Sequence, residues 1–356
     1  MRKELSFALI LGCTIFFTAC KSQTTEKSAP TQAAAPVESG GPKIYTTNEV
    51  SGDLSVIDSG NGNTLATVHL GKRPRGIHAS PDGKTLYVAL SGTPIAGPDV
   101  DESTLPPPDK SADGIGVFDV AQRKLVKIIP GGSDPENFDI SQDGKQIYIS
   151  NEDISAVSII DIASGSVVKT LKIGAQPEGV KITPDGKQVY VTSEETSEIA
   201  VLDPEAGKIV ATFKVGHRPR SVAFTPDGKH AYINAENDGT VVMVDTKLHK
   251  VVKTIQLGKP GIIKPMSVLL SDDGKRLYVS TGRGHMVFTV DTDTNKVLGS
   301  VEVGRRPWGI ALSPDGKTLY SANGPSNDVT AVDVATNTVT KKFKAGEGPW
   351  GIIVLK

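Results

Sequence analysis

Cysteine is all but missing from this 356-residue chain: Cys13 and Cys20 are its two, and both lie in the first 20 residues. The body that follows has no disulfide, no thiolate metal site and no cysteine nucleophile. Aromatic residues are 5% of the chain, and its two tryptophans are Trp308 and Trp350. Neither charge sign prevails, with 39 basic and 40 acidic residues. A chain so balanced offers no global field to a nucleic acid or an anionic bilayer. No interior apolar run is long enough to span a membrane. Also absent are a Cys-x-x-Cys-His haem motif, a nucleophile elbow and a phosphate-binding glycine loop. What is abundant is turn chemistry, 37 Gly and 23 Pro, which suits many short strands rather than a helical bundle.

The N-terminus is unlike the rest. Arg2 and Lys3 precede an apolar stretch over residues 6–17, broken by Thr14 and closed by Thr18-Ala19-Cys20. This pattern predicts a secretory signal over residues 1–19. Phe17-Thr18-Ala19-Cys20 resembles a bacterial lipobox, although Phe stands where Leu is usual. The resemblance implies that Cys20 is acylated and becomes the mature N-terminus; the alternative is an ordinary cleaved signal with an incidental Cys. Ile10-Leu11-Gly12-Cys13 fits the same pattern but leaves too short an apolar core. Lys21 rather than Asp after Cys20 points to the periplasmic side of the outer membrane, or the cell surface. Residues 20–41, rich in Ser, Thr, Ala and Pro, cannot build a core. They read as a flexible tether spanning roughly 25 Å, with the folded domain at 42–356.

That domain is a repeat. A Tyr-led strand recurs at Tyr45, Tyr87, Tyr148, Tyr190, Tyr232, Tyr278 and Tyr320. An apolar strand ends at Asp58, Asp119, Asp161, Asp203, Asp245, Asp291 and Asp333. A Pro follows a Gly at Pro74, Pro135, Pro177, Pro219, Pro265, Pro307 and Pro349. Successive Asp landmarks are 61, 42, 42, 42, 46 and 42 residues apart, so a 42-residue unit carries one insertion of 19 and one of 4. Each unit holds four short apolar runs, with Asp-Gly marking a hairpin. Four strands per unit of about 40–45 residues is the blade of a propeller. The chain starts with the second strand of a unit, at Lys43, and ends with a first strand, at residues 351–355. The expected fold is all-β: a seven-bladed β-propeller of four-stranded antiparallel blades, closed by the C-terminal strand joining the N-terminal blade. Closure removes the open edge.

Tyr45-Thr46-Thr47-Asn48, Tyr148-Ile149-Ser150-Asn151 and Ser80-Pro81-Asp82-Gly83-Lys84 make the chain resemble the YVTN-type, YncE-like β-propeller repeat family over residues 43–356. It is also similar to exported propellers associated with pyrroloquinoline-quinone-dependent alcohol oxidation, which share the order RPRG, DPE, QPEG, RPR and PWG. That order stands here at Arg73, Asp134, Gln176, Arg218 and Pro307. The tryptophan docking motifs of quinoprotein dehydrogenases are absent, so the likeness does not imply bound quinone. Some related propellers bind nucleic acid, others haem d1, and seven-bladed lactonases use similar repeats. Fold alone does not choose among these.

In a four-stranded blade the D–A and B–C loops share one face. The residue after each landmark Pro opens strand A beside the central channel. Around the ring these are Arg75, Glu136, Glu178, Arg220, Met266, Trp308 and Trp350. They suggest a two-sided channel mouth, with Trp and Met for an apolar body and Arg75 or Arg220 for an anion. The alternative is that the charges neutralise one another and the Trp pair packs two blades. Lys72, Arg73, Arg218, Arg305 and Arg306 rim this face, with Glu49, Glu152, Glu194, Glu195 and Glu236 opposite on the B–C loops. The long insertion, about residues 91–113, lands here too, as functional loops do. His217 and His285 are the candidates on this face for a metal or haem; no metal site, catalytic residue or cofactor is expected. The expected function is a monomeric, lipid-anchored binding or scaffolding protein for a protein partner or small ligand. The alternative is a lactonase-like hydrolase drawing on Glu136, Glu178, Arg75, Arg220 and His217; nucleic-acid binding runs against the neutral charge.

Overall fold

The computed structural model describes residues 37–95 and 104–356. The signal, Cys20 and the tether as far as residue 36 lie outside the described residues, as do residues 96–103 of the insertion. Among the described residues no helix is long and apolar enough to cross a membrane.

From Lys43 onward the chain forms seven four-stranded antiparallel sheets, the blades of a β-propeller. In blade 3, strand A is Pro135–Ile140, B is Gln146–Asn151, C is Ala156–Asp161 and D is Ser166–Lys172. Strands B and C are buried almost throughout, whereas D is largely exposed. A blade sandwiched between two others buries both faces of its inner strands, which is why these read as unbroken apolar runs. Blade 1 takes strand B from Lys43–Asn48 and strand A from Pro349–Leu355. The two pair antiparallel, Lys43 against Leu355 and Tyr45 against Ile353, and close the ring.

The sequence landmarks are the devices that hold blade to blade. All seven strand-B tyrosines are buried, the most exposed being Tyr87 at 7%. Burying such a ring contributes on the order of 2 kcal/mol. Tyr190 and Tyr232 also hydrogen-bond His249 (2.9 Å) and Asn295 (3.0 Å) in the C–D turn of the next blade. Two residues after the Tyr, a hydroxyl reaches the neighbouring strand A. Thr47 donates to the Arg75 carbonyl at 2.7 Å, Ser150 to that of Glu178 at 2.7 Å, and Ser280 to that of Trp308 at 2.6 Å. The glycine in Pro-x-Gly permits the same approach: a Cβ on Gly179 or Gly351 would strike the carbonyl oxygen of Arg220 or Arg75. Strand A is thereby drawn to the axis, and its first residue is aimed at the channel.

The A–B and C–D turns share the plain face. In all six A–B turns the Asp accepts a Ser or Thr hydroxyl two residues before it and a Lys backbone N–H two residues after it. The strand-C Asp likewise caps its turn, Asp161 accepting from the Ser164 N–H at 2.8 Å and Asp333 from that of Thr336 at 2.8 Å. The chain enters the propeller on this face. The Ser39 N–H donates to Asp58 at 2.7 Å, and the Asn61 amide donates to the Val37 carbonyl at 2.8 Å.

Candidate functional site

On the opposite face the D–A loops converge on the channel. The residue before the landmark Pro is left-handed at Arg73, Asp134, Gln176, Arg218 and Arg306, with φ between 41° and 58°. None is glycine, so each costs of order 1 kcal/mol of backbone strain. The reward is directional: these side chains are thrown over the mouth instead of outward.

Six of the seven predicted ring residues line this mouth or the channel below it, Arg75 being buried behind Glu136, and they do not form two bare arcs. Arg75 is 1% exposed. Its guanidinium donates to Asp134 (2.5 Å), to the Pro135 carbonyl (2.7 Å) and to Glu136. Arg75 therefore presents no charge to an incoming anion, contrary to the expectation from sequence. Arg220 is likewise committed, to Glu178 (2.9 Å), Glu194 (2.6 Å) and Glu236 (2.8 Å). The acidic B–C residues do not stand opposite the basic rim, as expected; they interleave with it. Glu49 holds Arg73 at 2.8 Å, and Glu236 holds Arg218 and Lys264, each at 3.0 Å.

Crowding separates the protonation states of these carboxyls. Burial pushes Glu152 up to about 9, helped by the nearby carboxyls of Glu136 and Asp134 and by a hydrogen bond to Glu136. Glu136 is raised too, burial outweighing Arg75. Burial alone would raise Asp134, yet Arg75 and the Ser91 hydroxyl hold it below the ordinary range. Glu178 is raised well above that range by burial and by Glu194, despite Arg220. Glu236 is lowered because Arg220 and Arg218 overcome its burial. Charge in the mouth is thus largely settled in pairs, with burial favouring the protonated form most at Glu152 and Glu178.

The apolar part is a stack. The Trp308 and Trp350 rings lie 5.5 Å apart at 22°. Arg220 and Arg306 both place guanidinium carbons over the Trp308 ring, at 5.2 and 4.8 Å. Trp308 is half-buried and Trp350 is 8% exposed. Met266 is 7% exposed; it lines the narrow channel of about 140 Å³ below the stack, with His78, Glu178 and both tryptophans. Above the stack is a cavity of about 490 Å³ between Glu136, Glu152, Arg306, Trp308, Trp350 and the insertion. The described ends of the insertion are pinned beside it: Arg73 donates to the Thr93 carbonyl at 3.0 Å, and Asp113 accepts from the N–H groups of Gly92 and Asp134 at 2.7 and 3.1 Å.

Two members of the mouth were read from the sequence as acidic B–C loop residues, outside the ring of seven. Glu152 and Glu194 occupy the position four residues past the strand-B Tyr, which is also that of Glu49 and Glu236. Counting from the Tyr finds all four. His217 is bound to Asp238 at 2.8 Å and His285 accepts the Arg306 N–H at 3.1 Å. Among the described residues no group of three or more His, Cys, Asp or Glu is placed to hold a metal ion.

Comparison with known proteins agrees with this architecture. A seven-bladed β-propeller lactonase family matches residues 179–354, and a YNCE-like β-propeller family matches residues 103–184. The chain is 28% identical over 137 residues to antigen Lp49 of Leptospira interrogans, a match spanning 30% of this chain and 30% of that protein. Similar solved structures include Kuenenia stuttgartiensis hydrazine synthase, with a TM-score of 0.70 and 22% identity, covering 86% of this chain and 99% of that one. Another is a "putative 6-phosphogluconolactonase" of Bacteroides fragilis, with a TM-score of 0.71 and 20% identity, covering 92% and 100%. At such identities the shared property is the fold. The ring of four-stranded blades, the strand that closes it and the two matching families agree: the chain is a seven-bladed β-propeller with the repeats of the YncE-like and lactonase propeller families.

Proposed function

We propose that this chain is an exported, lipid-anchored propeller that binds a small ligand in its loop-face mouth and does so as a monomer without catalysing a reaction. The observation that carries the reading is the Trp308–Trp350 stack, set at the floor of a cavity and flanked by charged groups. A half-buried aromatic platform beside convergent polar groups is what small-ligand sites share. Cys20→Ser is expected to abolish incorporation of a labelled fatty acid and to release the chain from the membrane fraction.

The binding test uses the two tryptophans themselves. Both lie in the mouth, so the intrinsic fluorescence of the full-length chain, purified in detergent, reports on that site. Titration with a panel of aromatic acids, aromatic alcohols and sugars is expected to give a saturable change for at least one class, lost in Trp308→Ala. A flat response to every class would reject the reading.

A lactonase is the second reading, favoured by the matching lactonase family and by the raised carboxyls of Glu152 and Glu178, a shift in the direction that general-acid work requires. Turnover of a lactone panel that falls in Glu136→Gln and Glu178→Gln would replace binding with catalysis.

A further inference from the structure

The register of the B–C loops says where charge is left over. Four residues past the strand-B Tyr stand Glu49, Ser91, Glu152, Glu194 and Glu236 in blades 1–5, but Gly282 and Gly324 in blades 6 and 7. The carboxylates neutralise the arginines beside them. In blades 6 and 7 that neutraliser is missing while the arginines remain. Among the described residues Arg283, Arg305 and Arg306 form no ion pair, and they line a chamber of about 770 Å³ with Arg218, Lys264 and His285. Among the described residues the chamber's one carboxylate, Glu236, is already held by Arg218, Arg220 and Lys264.

Uncompensated like charges do not gather without cost. Burial, then the charge of Arg220 and that of Arg283, destabilise the charged form of Arg306 by more than Glu49 and Glu236 favour it. The loop nevertheless holds Arg306 there. Its backbone is left-handed at φ 50°, its N–H is bonded to His285, and the preceding Arg305 N–H donates to Ser326 at 2.7 Å. Because His285 accepts through Nδ1, its neutral ring carries the proton on Nε2 and adds a donor to the chamber wall. Forked guanidiniums without acceptors match the planar oxygens of carboxylate and phosphate.

We propose that blades 6 and 7 form an oxyanion-binding chamber in which Arg283, Arg305 and Arg306 take the carboxylate or phosphate head of a small ligand whose body lies on Trp308. The stacking of Arg306 on Trp308 joins the chamber to the mouth, so a ligand with both parts spans them. This rests on the reading of the mouth as a small-ligand site.

The test is a titration of the full-length chain with phenyl phosphate and with benzoate, followed by tryptophan fluorescence, with benzyl alcohol as the uncharged counterpart. A saturable change is expected for at least one anion, weaker for the alcohol, weakened by salt and reversed by inorganic phosphate or citrate. Arg306→Gln is expected to lower affinity by about ten-fold or more. Gly324→Glu supplies the carboxylate that blades 1, 3, 4 and 5 carry; a side chain there meets only ordinary contacts, with Trp308 and the Pro349 carbonyl. It is expected to abolish anion binding, while Gly324→Gln and Lys229→Gln, on the plain face, leave it intact. Equal response to benzyl alcohol and to both anions would remove the chamber and keep the mouth. Equal loss in Gly324→Gln and Gly324→Glu would show a steric effect and overturn the charge argument. Tighter, length-dependent binding of a single-stranded oligonucleotide would replace the small anion with a polyanion track. Competition by phosphate on the unmutated chain decides the matter should a variant fail to fold.

Discussion

The two faces of this propeller are built from the same repeat and could hardly differ more. On the plain face six A–B turns are near copies, each Asp taking a hydroxyl and a backbone N–H of its own turn. Charge there is local and exposed, and the carboxyls of Asp82, Asp143 and Asp315 sit low mainly through that hydroxyl bond. A groove of about 650 Å³ between blades 4 and 5 is lined by such turns and gathers no unpaired cation cluster. On the loop face one ring position reads Arg75, Glu136, Glu178, Arg220, Met266, Trp308 and Trp350. Charge there is shared between blades and partly buried. Uniformity marks positions that every blade needs in order to fold; divergence at one ring position, over a channel, marks a site laid on the fold.

The contrast breaks most easily at the shared charges. Arg220→Met strands Glu178, Glu194 and Glu236 together, so a loss of about 3–5 kcal/mol at neutral pH is expected in urea unfolding. That loss shrinks below about pH 4, where the carboxyls take up protons. Next in size, Trp308→Ala removes a stacked ring worth about 1 kcal/mol of stability, and the ligand response with it.

Glu152 sharpens the comparison through pH. Unfolded, it ionises near the ordinary value; folded, it keeps its proton to about pH 9. Between those values the folded chain binds the extra proton, so stability falls as pH rises. Glu152→Gln is expected to match the parent near pH 4, flatten the decline and melt higher at pH 8. The smallest effects belong to the plain face. Asp273→Ala removes two exposed turn bonds at a cost of about 0.5–1 kcal/mol. Adding Asp315→Ala is expected to sum with it within about 0.5 kcal/mol, whereas pairs within Glu178, Glu194 and Arg220 are not expected to sum.

The propeller was legible because its determinants are periodic. Tyr45 through Tyr320, Asp58 through Asp333 and the Pro-x-Gly glycines each act within one blade or against its neighbour, so each recurs with the blade. The ring of seven mouth residues was legible for the same reason. Their pairing was not. Arg75 meets Asp134 and Glu136 from 59 and 61 residues away, and a count of charges along the chain does not show which are spent. Finding the arginines left without partners needed the register of the B–C loops, where Glu gives way to Gly282 and Gly324.

The central claim is that binding belongs to the loop face alone. Hydrogen–deuterium exchange of the full-length chain, with and without whichever of phenyl phosphate or benzoate saturates the fluorescence change, tests it most directly. Slower exchange is expected in the loops bearing Arg306, Arg283 and Trp350, with the Asp-Gly-Lys turns at Gly144, Gly228 and Gly316 unchanged. Protection in those turns, or spread evenly over both faces, would contradict it.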